Sequence, residues 1–297
     1  MKFEGRIVAA FGRHYEVETA DGRLWQAVPK AKRSIYACGD RVELEAAAAG
    51  QARIATHLPR TSLLYRSDAY REKLIAANTT QIVLVVATEP GFSDELLSRA
   101  LVAAEHERLR TVIALNKSDL DGQLPAARAQ LAPFIELGYP VVELSALSSA
   151  APLLHLLRGQ TSVLVGQSGM GKSTLINALV PGAAAATREI STALDSGKHT
   201  TTHARLYRLD DASAIIDSPG LQEFGLAHLT RGDVENAFIE FRAEVGHCRF
   251  RDCRHEAEPD CGIKSAVAAG RIAARRLRHF LSITSGLSKQ SASSSAA

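Results

Sequence analysis

Cysteine, methionine and tryptophan are scarce in this 297-residue chain, with four Cys, two Met and one Trp, and aromatic residues make up 5%. Three of the four cysteines, Cys248, Cys253 and Cys261, crowd into one short stretch with a histidine, a pattern that suits a metal better than disulfides. The fourth, Cys38, stands apart and reads as a small buried residue. Long apolar runs are also missing. The run Ile82 to Ala87 is strand-sized and far short of the ~20 residues a spanning helix needs, which excludes a helical membrane protein. The first residues enter alternating sequence with no apolar leader, so a cytoplasmic location is expected. No strong charge bias exists, the formal net charge being +3. One local imbalance stands out: Lys264, Arg271, Arg275, Arg276 and Arg278 fall between Gly262 and Phe280 with no Asp or Glu. That run reads either as a basic face for nucleic acid or as a solvated helix.

Hydrophobic and charged residues at 46% and 23% are ordinary for a globular chain, and ~100–200 residues per domain gives two or three domains. From Gly5 to about Leu58 the pattern predicts short strands at Arg6–Val8, His14–Glu18, Leu24–Val28, Arg41–Glu45 and Ala52–Thr56, with Asp21-Gly22 as a hairpin turn. This suits an OB-type β-barrel, although an SH3-like barrel would read similarly. Trp25, with Arg13, Lys30, Lys32 and Arg33 nearby, is either a stacking platform for single strands or a core residue.

From Gln81 onward, apolar strands alternate with helices, the pattern of a doubly wound parallel sheet: Ile82–Ala87, Thr111–Leu115, Val141–Leu144, Ser162–Val165, Arg205–Leu209 and Ala214–Ile216. Ser93 before Asp94 and Glu95 marks a helix start. The expected domains are 1–60 (barrel), 61–232 (α/β domain) and 233–285 (helical, cysteine-bearing), followed by a disordered, Ser/Ala-rich tail over 286–297.

The segment Gly166-Gln167-Ser168-Gly169-Met170-Gly171-Lys172-Ser173-Thr174 fits G-x-x-x-x-G-K-[ST] between a strand and a helix. Its glycines let backbone N–H groups and the helix N-terminus face phosphates, Lys172 adds positive charge at the β/γ oxygens, and Ser173 offers a hydroxyl to Mg²⁺. Asn116-Lys117-Ser118-Asp119 is N-K-x-D after a strand. The Asp119 carboxylate can accept from guanine N1–H and its amino group, whereas adenine presents an acceptor there, so guanine is selected. Asn116 should brace the loop, and the Lys117 stem can cover the ring. Ser145-Ala146 has the form of the short loop that supports the base, and Asp217-Ser218-Pro219-Gly220 is D-x-x-G, with Asp217 near Mg²⁺ and the Gly220 N–H near the γ-phosphate. In Gly197-Lys198-His199-Thr200-Thr201-Thr202, Thr201 is the favoured Mg²⁺ ligand, with Thr200 next.

Ordinary GTPases begin with the phosphate loop and end with base recognition. Here base recognition comes first and the second switch last, so a circular permutation relates the two orders. Cys248, Cys253, His255 and Cys261 form C-x₄-C-x-H-x₅-C, a donor set for a closed, structural zinc site; an iron–sulfur cluster is the alternative.

Together these motifs closely resemble the RsgA (YjeQ) family of circularly permuted GTPases, over essentially Gly5 to Ser282. The resemblance implies a late-stage assembly factor that binds the small ribosomal subunit and its rRNA, hydrolyses GTP to GDP faster on the subunit than alone, and then leaves; a monomer is expected. Some relatives carry a basic N-terminal arm, whereas here Met1 nearly adjoins the first strand. After D-x-x-G, where many GTPases place a water-orienting glutamine, stands Leu221. His199 is therefore the candidate for positioning water beside Lys172, the alternative being a conformational or rRNA-contact role. Rival readings are an ATP-using P-loop enzyme, against which Asn116–Asp119 argues, and a scaffold with nucleotide as a structural ligand, which the paired switch motifs oppose.

Overall fold

The structure, a computed structural model, describes residues 2–30, 35–67, 72–183, 204–218 and 225–294. Lys32, Arg33, His199, Thr200, Thr201, Thr202, Pro219, Gly220 and Leu221 lie outside the described residues.

The N-terminal strands are β1 (Lys2–Phe11), β2 (His14–Thr19), β3 (Leu24–Pro29), β4 (Arg41–Ala48) and β5 (Gln51–His57). β1 pairs with both β2 and β4, β2 pairs with β3, β3 runs parallel to β5, and β5 pairs with β4, which closes a five-stranded barrel of the OB type. Alternation puts Ile7, Tyr15, Val17, Ala27, Val42, Leu44 and Ile54 inside. At the crossing of β1 and β2, a Cβ on Gly5 would lie 2.6 Å from Val17 Cγ1, so the close approach requires glycine. Trp25 is half-buried and packs on Phe3 with ring centroids 4.7 Å apart, against the barrel core. Asp40 is fully buried and accepts from Arg60 through both oxygens, each at 2.7 Å, which fastens the exit of the barrel to the loop before β4.

A hairpin that the sequence pattern does not announce, β6 (Leu63–Ser67) with β7 (Glu72–Ala77), follows the barrel. Its strands are short and flanked by charged residues, so periodicity is diluted. Then come β8 (Gln81–Ala87), α1 (Asp94–His106), β9 (Arg110–Asn116), α2 (Leu124–Glu136), β10 (Val141–Glu143), α3 (Ala151–Leu157), β11 (Thr161–Val165), α4 (Lys172–Leu179), β12 (Ala204–Arg208) and β13 (Ala214–Asp217). The order β10-β9-β8-β11-β13 is parallel throughout. The expectation of a wholly parallel sheet needs one correction: β12 is antiparallel to β13. Only a short turn joins them, and a connection that short can only reverse the chain. β1 is also longer than expected because its far end serves a second sheet: Ala9 and Ala10 pair with Arg205 and Ala204 of β12, making the barrel and the nucleotide sheet one hydrogen-bonded surface.

The C-terminal part contains α5 (Arg231–Ala237), a 3₁₀ turn (Ile239–Phe241), α6 (Gly262–Ala268) and α7 (Ala274–Ser294). α5 starts at a capping box in which Thr230 and Asp233 bond reciprocally. α7 runs on to Ser294, so most of the tail expected to be disordered from 286 is helix; the segment has no proline, and its Leu, Lys, Gln, Ser and Ala residues tolerate helix. Among the described residues no helix is long and apolar enough to cross a membrane.

Candidate nucleotide and metal sites

β8, β9, β10, β11 and β13 deliver their C-terminal loops to one edge of the sheet. The chain works outward from β8 to β10, then returns to β11 beside β8 and proceeds to β13, so the topological switch, where such sheets bind ligands, lies between β8 and β11. Gly166 sits there against β8: a Cβ would lie 2.2 Å from Val85 O. Gly171 has φ 85° at the N-terminus of α4, and its Cβ would lie 2.2 Å from Asn116 Nδ2.

Asn116 holds the site together. Its side chain is 2% exposed, Nδ2 donates to Met170 O of the phosphate loop at 2.9 Å, and Oδ1 accepts from Ala146 N at 2.9 Å. One amide thus ties the Asn116–Asp119, Gly166–Thr174 and Ser145-Ala146 loops into a unit. Lys117 adopts φ 59°, its Nζ donates to Glu89 O at 2.5 Å, and its carbonyl accepts from Thr88 Oγ1 at 2.8 Å. Ser118 N donates to Leu144 O at 3.1 Å. Asn116, Lys117, Asp119, Leu120, Ser145, Ala146, Leu147, Gly171 and Thr174 line an open cavity of about 280 Å³.

Lys172 is buried, and its Nζ donates to the carbonyls of Gly166 (2.6 Å) and Gln167 (3.0 Å). Burial holds its pKa below the usual lysine value, and the Asp217 carboxylate opposes that shift. Burial pushes the Asp217 carboxyl up to about 6, with Lys172 opposing. Among the described residues each group therefore lacks sufficient opposite charge nearby, as expected where a polyphosphate and a cation belong. Ser173 is exposed in the first turn of α4. Sequence reasoning missed Ser218, whose buried hydroxyl donates to Leu164 O at 2.8 Å and anchors the chain leaving Asp217. Gln167, already read as part of the phosphate loop, has a second contact: its Oε1 accepts from Ser93 N at 3.0 Å and joins the loop to the start of α1.

The far side of that α1 turn grips α7. Arg276 is 1% exposed, donates to Ser98 Oγ at 2.7 Å and to Glu240 at 2.6 Å, and stacks over Phe238. His279 meets Ser98 Oγ at 2.9 Å, Arg275 pairs with Asp94 at 3.6 Å, and Ser282 donates to Glu95 at 2.8 Å. Lys264 donates to the Glu258 carbonyl, and Arg271 pairs with Glu244. Four cations of the basic run read from the sequence are thus engaged within the fold, Lys264 by a neighbouring loop carbonyl and Arg271, Arg275 and Arg276 by acceptors far away in sequence, while Arg278 is exposed. Cys38 is 1% exposed and burial raises its thiol to about 12, consistent with an inert core residue.

The ligand atoms of Cys248, Cys253, His255 and Cys261 all lie within 4.8 Å of one another. His255 Nδ1 faces the thiols, 3.6 Å from Cys248 and 3.2 Å from Cys261, while Nε2 meets Glu235 Oε1 at 3.3 Å. A carboxylate on the second ring nitrogen is the usual support of a metal-bound histidine. Donor set, spacing and support all fit a tetrahedral metal ion. Glu235, on α5, carries no local signal that sequence could have used.

The family model described as RsgA GTPase matches residues 57–227. A protein of Nitrosomonas europaea named small ribosomal subunit biogenesis GTPase RsgA is 54% identical over 288 residues, covering 96% of this chain and 92% of the relative. Its namesake in Burkholderia pseudomallei is 54% identical over 278 residues, covering 92% and 88%. Among solved structures, YjeQ from Thermotoga maritima is similar with a TM-score of 0.75 and 30% identity, covering 97% of this chain and 99% of that one. YloQ, described as a circularly permuted GTPase, shares the fold with a TM-score of 0.71 at 24% identity, covering 98% and 96%. Matched over more than half its length by the family model and 54% identical to a relative across nearly all of both chains, this chain belongs to the RsgA GTPase family.

Proposed function

We propose that this chain binds the small ribosomal subunit, assists its late maturation, hydrolyses GTP to GDP and phosphate with stimulation by the subunit, and then dissociates. The observation that carries the reading is the double hydrogen bond of Asn116, which prebuilds a guanine and phosphate site from loops in permuted order. The partner is that of the relatives, which are small ribosomal subunit biogenesis GTPases.

Asp119 selects guanine through its N1–H and amino group, with Lys117, Ser118, Ser145 and Ala146 shaping the cavity. The backbone from Gly166 through Gly171 cradles phosphates, and Lys172 turns from the loop carbonyls toward the β/γ oxygens, offsetting charge as it develops. Ser173, Thr201 and Asp217 would hold Mg²⁺ by direct or water-mediated contacts; when bound, it neutralises phosphate charge. Gly220 offers its N–H to the γ-phosphate. His199 positions the attacking water, since Leu221 cannot. Cys248, Cys253, His255 and Cys261 hold one structural zinc. The protein acts in the cytoplasm as a monomer, with the barrel on rRNA.

Co-sedimentation with purified small subunits tests the cycle. Retention with a non-hydrolysable GTP analogue and release with GDP are expected; equal retention in both states would remove the dissociation step. Subunit-stimulated turnover that persists fully in His199→Ala would remove the role given to His199.

A further inference from the structure

Lys117, between Asn116 and Asp119, has a left-handed backbone at φ 59°, a conformation that a residue with a side chain keeps only where its surroundings hold it. The peptide joining Lys117 to Ser118 is held from both sides. Its carbonyl accepts from Thr88 Oγ1 at 2.8 Å, just past the end of β8, and its N–H donates to Leu144 O at 3.1 Å, just past the end of β10. β8 and β10 flank β9 on opposite sides, so the two bonds stretch this peptide across the end of β9 and fix its rotation. Leu120 N donates to the same Lys117 carbonyl at 3.1 Å and closes a turn whose central residues are Ser118 and Asp119. Where the Asp119 side chain starts from is therefore set by how that peptide is turned.

Leu120 N and Leu144 O are backbone groups, available whatever side chains stand there. Among the described residues, only the Thr88 hydroxyl holds this peptide by the chemistry of a side chain. Thr88 is 7% exposed, and its own N–H donates to Asn116 O at 3.2 Å, extending the β8–β9 ladder by one step. A β-branched side chain on backbone tied in this way has few rotamers, so the hydroxyl is delivered to the carbonyl ready oriented. Its bonds go to Asn116 and Lys117 and, among the described residues, to none of the phosphate loop.

We propose that Thr88 is a positioning residue for guanine recognition: its hydroxyl fixes the Lys117–Ser118 peptide and through it aims the Asp119 carboxylate at the N1–H and amino group of the base. The inference rests on the guanine reading of Asn116–Asp119 and adds a residue outside that motif.

Calorimetric binding of GDP, IDP and inorganic tripolyphosphate to the full-length chain and to Thr88→Val and Thr88→Ser tests it. Thr88→Val keeps the shape and removes the donor, and should weaken GDP about five- to ten-fold, the effect of one hydrogen bond. IDP lacks the amino group and should lose less, so that the preference for GDP over IDP narrows, and tripolyphosphate should bind as before. Thr88→Ser retains the hydroxyl and should bind as the parent does. Steady-state turnover of Thr88→Val should show KM for GTP raised with kcat unchanged. GDP affinity of Thr88→Val within about two-fold of the parent would overturn the proposal. So would an equal loss for all three ligands, which is general damage to the site, or a Thr88→Ser variant as weak as Thr88→Val, which would assign the effect to the methyl group. The underlying reading is tested in the parent: GDP and IDP bound equally there would remove guanine recognition by Asp119 and the proposal with it, whereas a parent that prefers GDP beside an unaffected Thr88→Val would remove the role of Thr88 alone.

Discussion

The barrel and the cysteine module, at opposite ends of the chain, are attached to the nucleotide sheet in different ways. The barrel has its own core around Ile7, Tyr15, Val17, Leu44 and Ile54, and meets the sheet through the β1–β12 pairing. The cysteine module has no separate core: Phe238, Phe241, Ile263 and Phe280 belong to the same buried cluster as Leu84, Leu101 and Val165. The core thus runs without a break past residue 233, whereas the barrel keeps a cluster of its own and lends only Val8 and Cys38 to that of the sheet. Damage to the cysteine module should spread into the nucleotide site, and damage to the barrel should stay local.

The largest effect is expected from Cys261→Ser. Metal content should fall from the one zinc per chain proposed for the parent to none, and because a closed zinc site contributes ~10–16 kcal/mol of apparent binding energy in small modules, the module should unfold. With a shared core, the melting temperature of the nucleotide sheet should drop in the same scan. Loss of the module with an unchanged sheet transition would separate what the packing joins.

Arg276→Ala comes next, at about 3–5 kcal/mol in chemical denaturation, because it leaves Glu240 buried and unpaired. Pairing Arg276→Met with Glu240→Leu should recover most of that loss, since an apolar pair of similar volume does not strand a charge. Recovery would show that the network is replaceable packing; a double variant as weak as the single one would show that the Ser98 contact itself is needed.

Arg60→Ala sharpens the other half of the comparison. Asp40 would lose its bidentate partner at a cost of roughly 2–3 kcal/mol, visible as faster amide exchange in the barrel with KM for GTP unchanged. Arg41→Ala, which removes an exposed pair with Glu4, should change stability by less than about 0.5 kcal/mol.

Local signals carried most of the site. The phosphate-loop glycines, Asn116–Asp119 and the Cys₃His spacing each encode chemistry in neighbouring residues, and the structure brings Asn116, Ala146 and Met170 into contact as their motif order requires. Other features depend on partners distant in sequence. Arg276 reads as one more cation of a basic run until Ser98 and Glu240 are seen around it, and Glu235 is an ordinary helix acid until His255 folds against it. The length of β1 and the reversed β12 likewise depend on a pairing across the chain from Ala9 to Arg205. Charged residues in the hairpin after residue 60 obscured two strands whose inward positions, Leu64 and Ile75, are buried.

The central claim is that this chain is a GTPase switched on by the small ribosomal subunit. GTP turnover by the purified protein, measured alone, with small subunits and with large subunits, and repeated with ATP, tests it most directly. The account predicts slow turnover alone, strong stimulation by small subunits only, and no ATP hydrolysis. Turnover indifferent to small subunits, or equal stimulation by large ones, would contradict it.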